Sequence, residues 1–282
     1  MKNILIILNV FLSALFYTQG NDNNRLNAEF IYLTKAKIDK TIPYIHEEIF
    51  LLQVVQDKAF FVSENSVKYD SILKNDIYRA TVSASKGGSI NISRSSSPKT
   101  KFGYTIVQSH QETQYFEKID GKLYSYPQPI IKDWKLLEET QTINTLQCKK
   151  ATLHHKGRHW TAWYAPDIPL PYGPYTFTGL PGLIVKMDSQ DGEYSFELVK
   201  STPKNKLNNK ELSISKSKYE NATSVTFSEM REIKKNTIER LITEAPSMGI
   251  QLSNGNIQTL RELQKQKLKN FLNENLIEKT EN

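Results

Sequence analysis

His154, His155 and His159 stand close to the chain's single cysteine, Cys148, and these are the residue types that metal binding or nucleophilic catalysis would use. If Lys156-Gly157 is a two-residue hairpin turn, His155 pairs with Arg158 and His154 faces His159 across the ladder, with Cβ atoms about 5 Å apart. Two imidazoles so placed could share Zn²⁺ or Cu²⁺. Cys148 lies about 20 Å further up the strand at roughly 3.3 Å per residue, so it cannot complete that site. A pair falls short of the three or four protein ligands typical of zinc. The metal expectation is therefore confined to His154 and His159, against the competing reading of two surface imidazoles at a hairpin tip.

Cys148 also invites a nucleophile reading, because Lys149 and Lys150 follow it and neighbouring ammonium groups lower a thiol pKa. A catalytic thiol needs a histidine base within hydrogen-bond reach, and His154 and His159 are too far along the strand. The alternative is a buried cysteine acting as a small hydrophobe. The serine-hydrolase pattern G-x-S-x-G is absent, and Ser83, Ser96 and Ser213 precede lysines at the S-x-x-K spacing without any partner motif. Gly87-Gly88 has neither the spacing nor the lysine of a phosphate loop. Glu138-Glu139 supports no glycosidase claim without a known separation. No complete catalytic constellation emerges and no cofactor is expected.

The elements that would position these side chains are strands. From Glu29 to Lys200 the pattern alternates with period two and is rich in aromatic and β-branched residues. Candidate strands cover 30–38, 48–55, 58–64, 104–109, 114–119, 122–126, 146–155, 159–165, 182–188 and 193–200. Asp57-Lys58, Asp120-Gly121, Lys156-Gly157 and Asp191-Gly192 supply short turns that join only antiparallel partners. The Ser/Gly/Lys-rich stretch 85–101 reads as a loop. Residues 201–224 are polar and low in aromatics, a linker.

Two amphipathic helices follow. The first opens on the capping box Thr226-Phe227-Ser228-Glu229 and ends before Pro246. The second starts near Asn256 and places Ile257, Leu260, Leu263, Leu268, Phe271, Leu272 and Leu276 on one stripe. The expected fold class is α+β, mainly antiparallel β: a hairpin meander forming a curved sheet or half-open barrel, with two C-terminal amphipathic helices packed on it. In domain terms this gives a leader at 1–20, a β domain at 21–200, the linker at 201–224 and a helical segment at 225–282.

The leader reading rests on "MKNILIILNVFLSALFYTQG", with a lysine, an apolar run from Ile4 to Phe16 and small residues before the cut. That run is shorter than the roughly 20 residues a membrane helix needs, so no membrane span is expected after cleavage. A secreted or periplasmic location follows. A single cysteine allows no internal disulfide, so the fold must rest on its core, to which fourteen Tyr, twelve Phe and three Trp contribute. The net charge of +7 comes from scattered lysines. Without an arginine-dense patch interleaved with stacking aromatics, nucleic acid is excluded as a partner.

"PYGPYTFTGLPGLIVKMD" (171–188) concentrates proline and glycine ahead of an apolar strand. Leu180-Pro181-Gly182-Leu183 fits a type II turn, with glycine supplying a positive φ at the second corner. Gly179, Leu180, Pro181, Gly182, Leu183 and Ile184 spell the signature of the GLPGLI family of exported bacterial proteins. The segment from Cys148 to Met187 resembles that family's central block, including Trp163-Tyr164, Ile168-Pro169 and Gly173-Pro174. Phe177 stands where the family has an aromatic, and Thr176 replaces a commonly basic residue. The resemblance implies export and a β-rich fold and supplies no chemistry. The strand pattern is also similar to envelope carriers built as a half-open barrel with helices across the concave side.

Trp160 and Trp163 fall on opposite faces of their strand. Trp163, with Tyr175 and Phe177, is the candidate wall of a ligand groove closed on one side by the helices. The functional expectation is a non-enzymatic binder of an apolar or peptide-like envelope component, a lipid or a peptide, which needs a concavity of about 300 Å³ or more. The alternative is a protein that docks on an outer-membrane assembly through a sheet edge or helix. Metal binding at the two histidines and a hydrolase that brings a histidine within about 3.2 Å of a base or nucleophile in a cleft rank below both.

Overall fold

The computed structural model describes residues 24–85, 97–244 and 257–279. The leader at 1–20 and most of the loop at 85–101 lie outside the described residues. The protein is α+β: the described residues form one open curved sheet of twelve strands and three α-helices. The strand order is β12-β6-β5-β4-β3-β2-β1-β11-β10-β9-β8-β7. Two antiparallel runs meet at the pair of β1 (Ala28–Ala36) and β11 (Tyr194–Pro203), which places the first and last long strands side by side in mid-sheet. One run passes through β2 (His46–Val55), β3 (Lys58–Ser63), β4 (Tyr104–Ser109), β5 (Thr113–Ile119) and β6 (Lys122–Gln128). The other passes through β10 (Leu183–Ser189), β9 (Arg158–Ala165), β8 (Leu146–His155) and β7 (Lys135–Ile143). The short β12 (Thr223–Ser224) adds a parallel edge to β6.

Alternation produces two cores of unequal size. On β2 and β3, Phe50, Leu52, Val54, Ala59 and Phe61 join the larger cluster on what we call the inner face, while Leu51, Val55, Phe60 and Val62 turn outward. Both sets are buried, so these strands are covered on both faces. The segment expected to be a linker does the outer covering. Its Leu207 and Ile214 are buried against Leu51 and Val62, and the Ser213 backbone amide and hydroxyl both donate to Gln53 Oε1, at 3.0 and 2.9 Å.

The hairpins at Asp120-Gly121 and Lys156-Gly157 fall as expected, each with two positive φ values, 49° and 80° and then 49° and 72°. Such pairs match the right-handed twist of the strands they join. The β2–β3 turn is Gln56-Asp57 instead of Asp57-Lys58, because Lys58 already pairs with Val55.

The two-residue β12 falls inside the stretch expected to be a linker, and two longer elements also went unread in the sequence. α1 (Glu64–Ser85) follows β3, and Ser66 is the buried residue it contributes, so no apolar stripe marks it. β7 is a sheet edge with seven of its nine residues exposed, and edge strands carry little buried alternation. The proline-glycine segment also departs from expectation. Gly182 has φ +154° and its amide donates to Leu180 O at 2.8 Å, while the Leu183 amide donates to Ile168 O at 3.0 Å. A type II turn wants φ near +80° at that corner. The chain instead lays Gly182 against the Ala165–Pro166 backbone, where a Cβ would meet Ala165 O at 2.3 Å.

Residues 166–182 then fold onto the inner face, where Tyr172, Tyr175, Phe177 and Leu180 are buried. Their backbone polar groups are answered from the sheet. Gln108 Nε2 donates to the carbonyls of Gly173 and Tyr175, at 2.8 and 2.5 Å, and the Trp134 indole donates to Thr178 O at 2.8 Å.

Candidate functional site

A cavity of about 550 Å³ lies between the inner face and the C-terminal elements. Its floor comes from neighbouring strands whose registers bring tyrosines together: Tyr104 on β4, Tyr115 on β5 and Tyr126 on β6. Tyr115 stacks on Tyr126 at 4.6 Å between ring centres, and Tyr104 meets Tyr115 at 5.4 Å and Tyr175 at 5.5 Å. Offset and edge contacts of this kind hold aromatic rings in fixed orientations.

The roof is α2 (Phe227–Glu244) and α3 (Ile257–Leu272). Along α2, Phe227, Met230, Arg231, Lys234 and Ile238 line the cavity, a spacing that puts them on one helix face. The capping box fixes where α2 begins: the Thr226 amide donates to Glu229 Oε2 at 2.7 Å, and the Glu229 amide donates to Thr226 Oγ1 at 3.2 Å. Lys234 reaches Glu117 on the floor at 2.8 Å. Arg231 pairs with Glu274 and lies 4.1 Å over the Phe271 ring, which ties the two helices together. The apolar stripe expected on α3 is only partly used, since Leu263 and Leu272 are 57% and 58% exposed. Phe271 carries the contact, because α3 meets α2 and the cavity and does not lie flat on the sheet.

After α3 the chain crosses the end of the cavity as an extended tail, 273–279, anchored by buried polar groups. Arg158, 2% exposed, donates to the carbonyls of Leu276 and Ile277 at 2.9 and 3.1 Å, to Asn275 Oδ1 at 2.9 Å, to Glu193 at 2.9 Å and to Asp191. Glu278, 6% exposed, accepts from Tyr175 and Gln128, each at 2.7 Å, and pairs with Lys156 at 2.6 Å. Sequence reading placed Arg158 only as the hairpin partner of His155, a pairing that does occur. Its role as tail anchor left no local signal, because the tail groups it holds are more than a hundred residues away.

Asp191 gives this anchor an acid limit. Burial opposes its ionisation, but the Ser189 hydroxyl, the Glu193 amide, Lys279 and Arg158 outweigh that and hold its carboxyl down at about 2 against an ordinary 3.8. A depressed folded-state pKa means the contribution to stability is complete above about pH 4 and is lost as pH falls toward 2. Between those pH values the thermal midpoint of the wild type is expected to fall further than that of Asp191→Asn, measured by circular dichroism.

The structure separates the other sequence candidates. His154 faces His159 as the hairpin register requires, with ring centres 4.5 Å apart, and both border a second pocket of about 360 Å³ with Asp133, Lys135 and Trp160. Among the described residues no group of three or more His, Cys, Asp or Glu is placed to hold a metal. Cys148 is buried, burial pushes its thiol up, and Sγ donates to Leu146 O at 3.5 Å. His46 Nε2 does lie 2.9 Å from Glu48 Oε2. That carboxylate is buried and also accepts from Ser63, Thr100 and the Lys101 amide. Ser63 has no exposure and contacts the carboxylate, not the imidazole, so no base addresses a reachable nucleophile there.

Of the three groove candidates, Tyr175 lines the cavity. Phe177 is 1% exposed in the core against Trp160, and Trp163 lies on the other face of β9 under the Lys150 ammonium. The tyrosine floor was not singled out in the sequence, although its tyrosines fall inside strands that were read correctly, whereas the helices were expected to close one side of the groove and Phe227, Met230 and Ile238 of α2 do line the cavity.

Fold and cavity together define an α+β protein whose open antiparallel sheet is roofed by C-terminal helices. Residues 154–186 match the model of a family described as "Protein of unknown function (Porph_ging)", the GLPGLI-type family whose signature stands at 179–184. No curated protein matches the chain. Two solved structures of PNGF-II, in space groups P21 and C2, share the fold at 15% identity with TM-scores of 0.51 and 0.50. The matches cover 75% and 74% of this chain but 34% and 33% of theirs, so the chain spans about a third of PNGF-II. The LolA superfamily protein NE2245 from Nitrosomonas europaea matches at 7% identity over 64% of this chain and 89% of that one. Its TM-score of 0.26 carries no argument.

Proposed function

We propose that this chain is an exported cell-envelope protein that binds an apolar chain in the cavity between the inner sheet face and the C-terminal helices, and does so without catalysis. The observation that carries the reading is the cavity itself. About 550 Å³ falls within the ordinary range for small-ligand sites, and an aromatic floor faces Phe227, Met230 and Ile238 of α2. Its four charged pairs or anchors, Lys234–Glu117, Arg231–Glu274, Lys156–Glu278 and the Arg158 fork, hold the roof and tail in place. An exported location is supported by the leader pattern and the family resemblance. Among the described residues no helix is long and apolar enough to cross a membrane.

The test uses the neutral fluorophore N-phenyl-1-naphthylamine. The wild type is expected to bind it saturably at one site per chain, with enhanced and blue-shifted emission. Ile238→Trp, which pushes a large ring from α2 into the cavity, is expected to weaken binding at least about tenfold while costing only about 1–3 kcal/mol of stability. Equal binding by the folded variant would refute the proposed site. A second reading, docking on an outer-membrane assembly, is favoured by α1, which leaves Ile77 50% and Tyr78 70% exposed.

A further inference from the structure

The cavity floor carries a polar group that the protein does not satisfy. Tyr104 is 7% exposed, and its buried hydroxyl has no hydrogen-bond partner among the described residues. Three other tyrosines around it are answered: Tyr115 donates to Glu117 at 2.9 Å, Tyr175 to Glu278 at 2.7 Å, and Tyr194 to the Asn275 carbonyl. A buried hydroxyl without a partner is destabilising, and orphans of this kind in folded proteins call for an explanation. Packing does not supply one. The Tyr104 ring sits among Phe50, Phe102, Tyr115 and Tyr175, surroundings that a phenylalanine would fill equally well.

Nearby acceptors are already engaged. Glu48 takes donors from Ser63, Thr100, Lys101 and His46, and Glu117 takes Tyr115 and Lys234. Their charge also shapes what can approach. Burial first, and then the fields of Tyr194, Glu48 and Glu117, push the Tyr104 hydroxyl well above its ordinary pKa, which keeps it protonated and a donor. A carboxylate brought to it would face both glutamates. A carbonyl oxygen would accept the bond without adding charge.

Resting on the binding reading above, we propose that Tyr104 sets the cavity's specificity: the bound apolar chain carries an uncharged acyl carbonyl, ester or amide, which takes the Tyr104 hydroxyl's hydrogen bond when the chain is seated among the rings. The ligand is thus an acylated molecule and not a free fatty acid or a plain hydrocarbon.

The experiment displaces N-phenyl-1-naphthylamine with n-dodecane, methyl laurate, N-methyl lauramide or sodium laurate, from the wild type and from Tyr104→Phe. The ester and the amide are expected to bind the wild type about fivefold to tenfold more tightly than dodecane, the gain of one hydrogen bond, and laurate no more tightly than dodecane. Tyr104→Phe is expected to reduce ester and amide to the dodecane level and leave dodecane unchanged. The variant removes an unpaired group, so its thermal midpoint is expected to hold or rise. An ester and amide preference that survives in Tyr104→Phe, or tighter binding of laurate than of the ester, overturns the inference and leaves the cavity reading standing. Failure of all four compounds to displace the fluorophore overturns both.

Discussion

Replacing Gly182 by alanine is expected to destabilise the protein by about 4 kcal/mol, from backbone strain and overpacking of roughly 1–3 kcal/mol each. The new Cβ would lie 2.3 Å from Ala165 O, 2.7 Å from Ala165 C and 2.9 Å from Pro166 Cα. All three are backbone atoms of a segment held by the Leu183–Ile168 hydrogen bond, so nothing flexible can give way. Gly121→Ala is the control. It shares a positive φ, +80°, but meets nothing within 4 Å, and its cost is expected near 1 kcal/mol. Urea denaturation of the two variants separates close approach from conformational strain. Equal midpoints would contradict the packing account of the signature. Gly173, whose Cβ would meet Ile184 and the Phe177 carbonyl at 2.7–2.8 Å, belongs to the same argument. At Gly182 and Gly173 the missing Cβ is what lets the inner-face segment pass this close to Ala165, Pro166, Phe177 and Ile184.

The second large effect concerns the tail. Arg158→Met keeps much of the side-chain volume and removes every bond of the fork, which leaves Asp191, Glu193 and Asn275 without their shared partner. Breaking a buried charge network from one side costs about 3–5 kcal/mol. The expected result is a destabilised protein in which amides of the tail exchange with deuterium far faster than those of β1 or β11. Arg158→Lys is expected to rescue little, because an ammonium cannot reproduce a planar fork that reaches two carbonyls and a side-chain amide at once. Tail exchange that matches the wild type in Arg158→Met would show that the fork does not hold the tail in place.

What the sequence disclosed follows from how each element is buried. β5, β8 and β9 alternate because one face is covered, and the β5–β6 and β8–β9 hairpins carry Asp-Gly and Lys-Gly where φ is positive, whereas β2 and β3 showed as apolar runs because both their faces are covered. α1 and β7 were invisible because they are largely exposed and leave no periodic mark. The prolines and glycines of 171–188 marked a turn-rich segment, but the corner was misread. A type II turn was the local solution, and the tertiary solution instead gives the Leu183 amide to Ile168.

Of the residues the sequence offered for a groove, the cavity takes up one. Aromatic strands and apolar helix faces implied a groove, and Tyr175 does line the cavity. Trp163 was nominated beside it from proximity in sequence, whereas strand alternation carries it to the other face of β9. The true floor assembles from Tyr104, Tyr115 and Tyr126 through the registers of three strands, and the anchor at Arg158 and Glu278 joins residues 120 positions apart or nearly so. Contacts of that separation have no signature in a single sequence.

The measurement that bears most directly on the binding account is a crystal structure of the protein soaked with an ω-brominated methyl laurate, with data collected at the bromine edge. The account predicts an anomalous peak enclosed by Tyr115, Tyr126, Phe227 and Phe271. A peak only on the outer face or along α1, or no peak at a concentration that saturates fluorophore displacement, would contradict it.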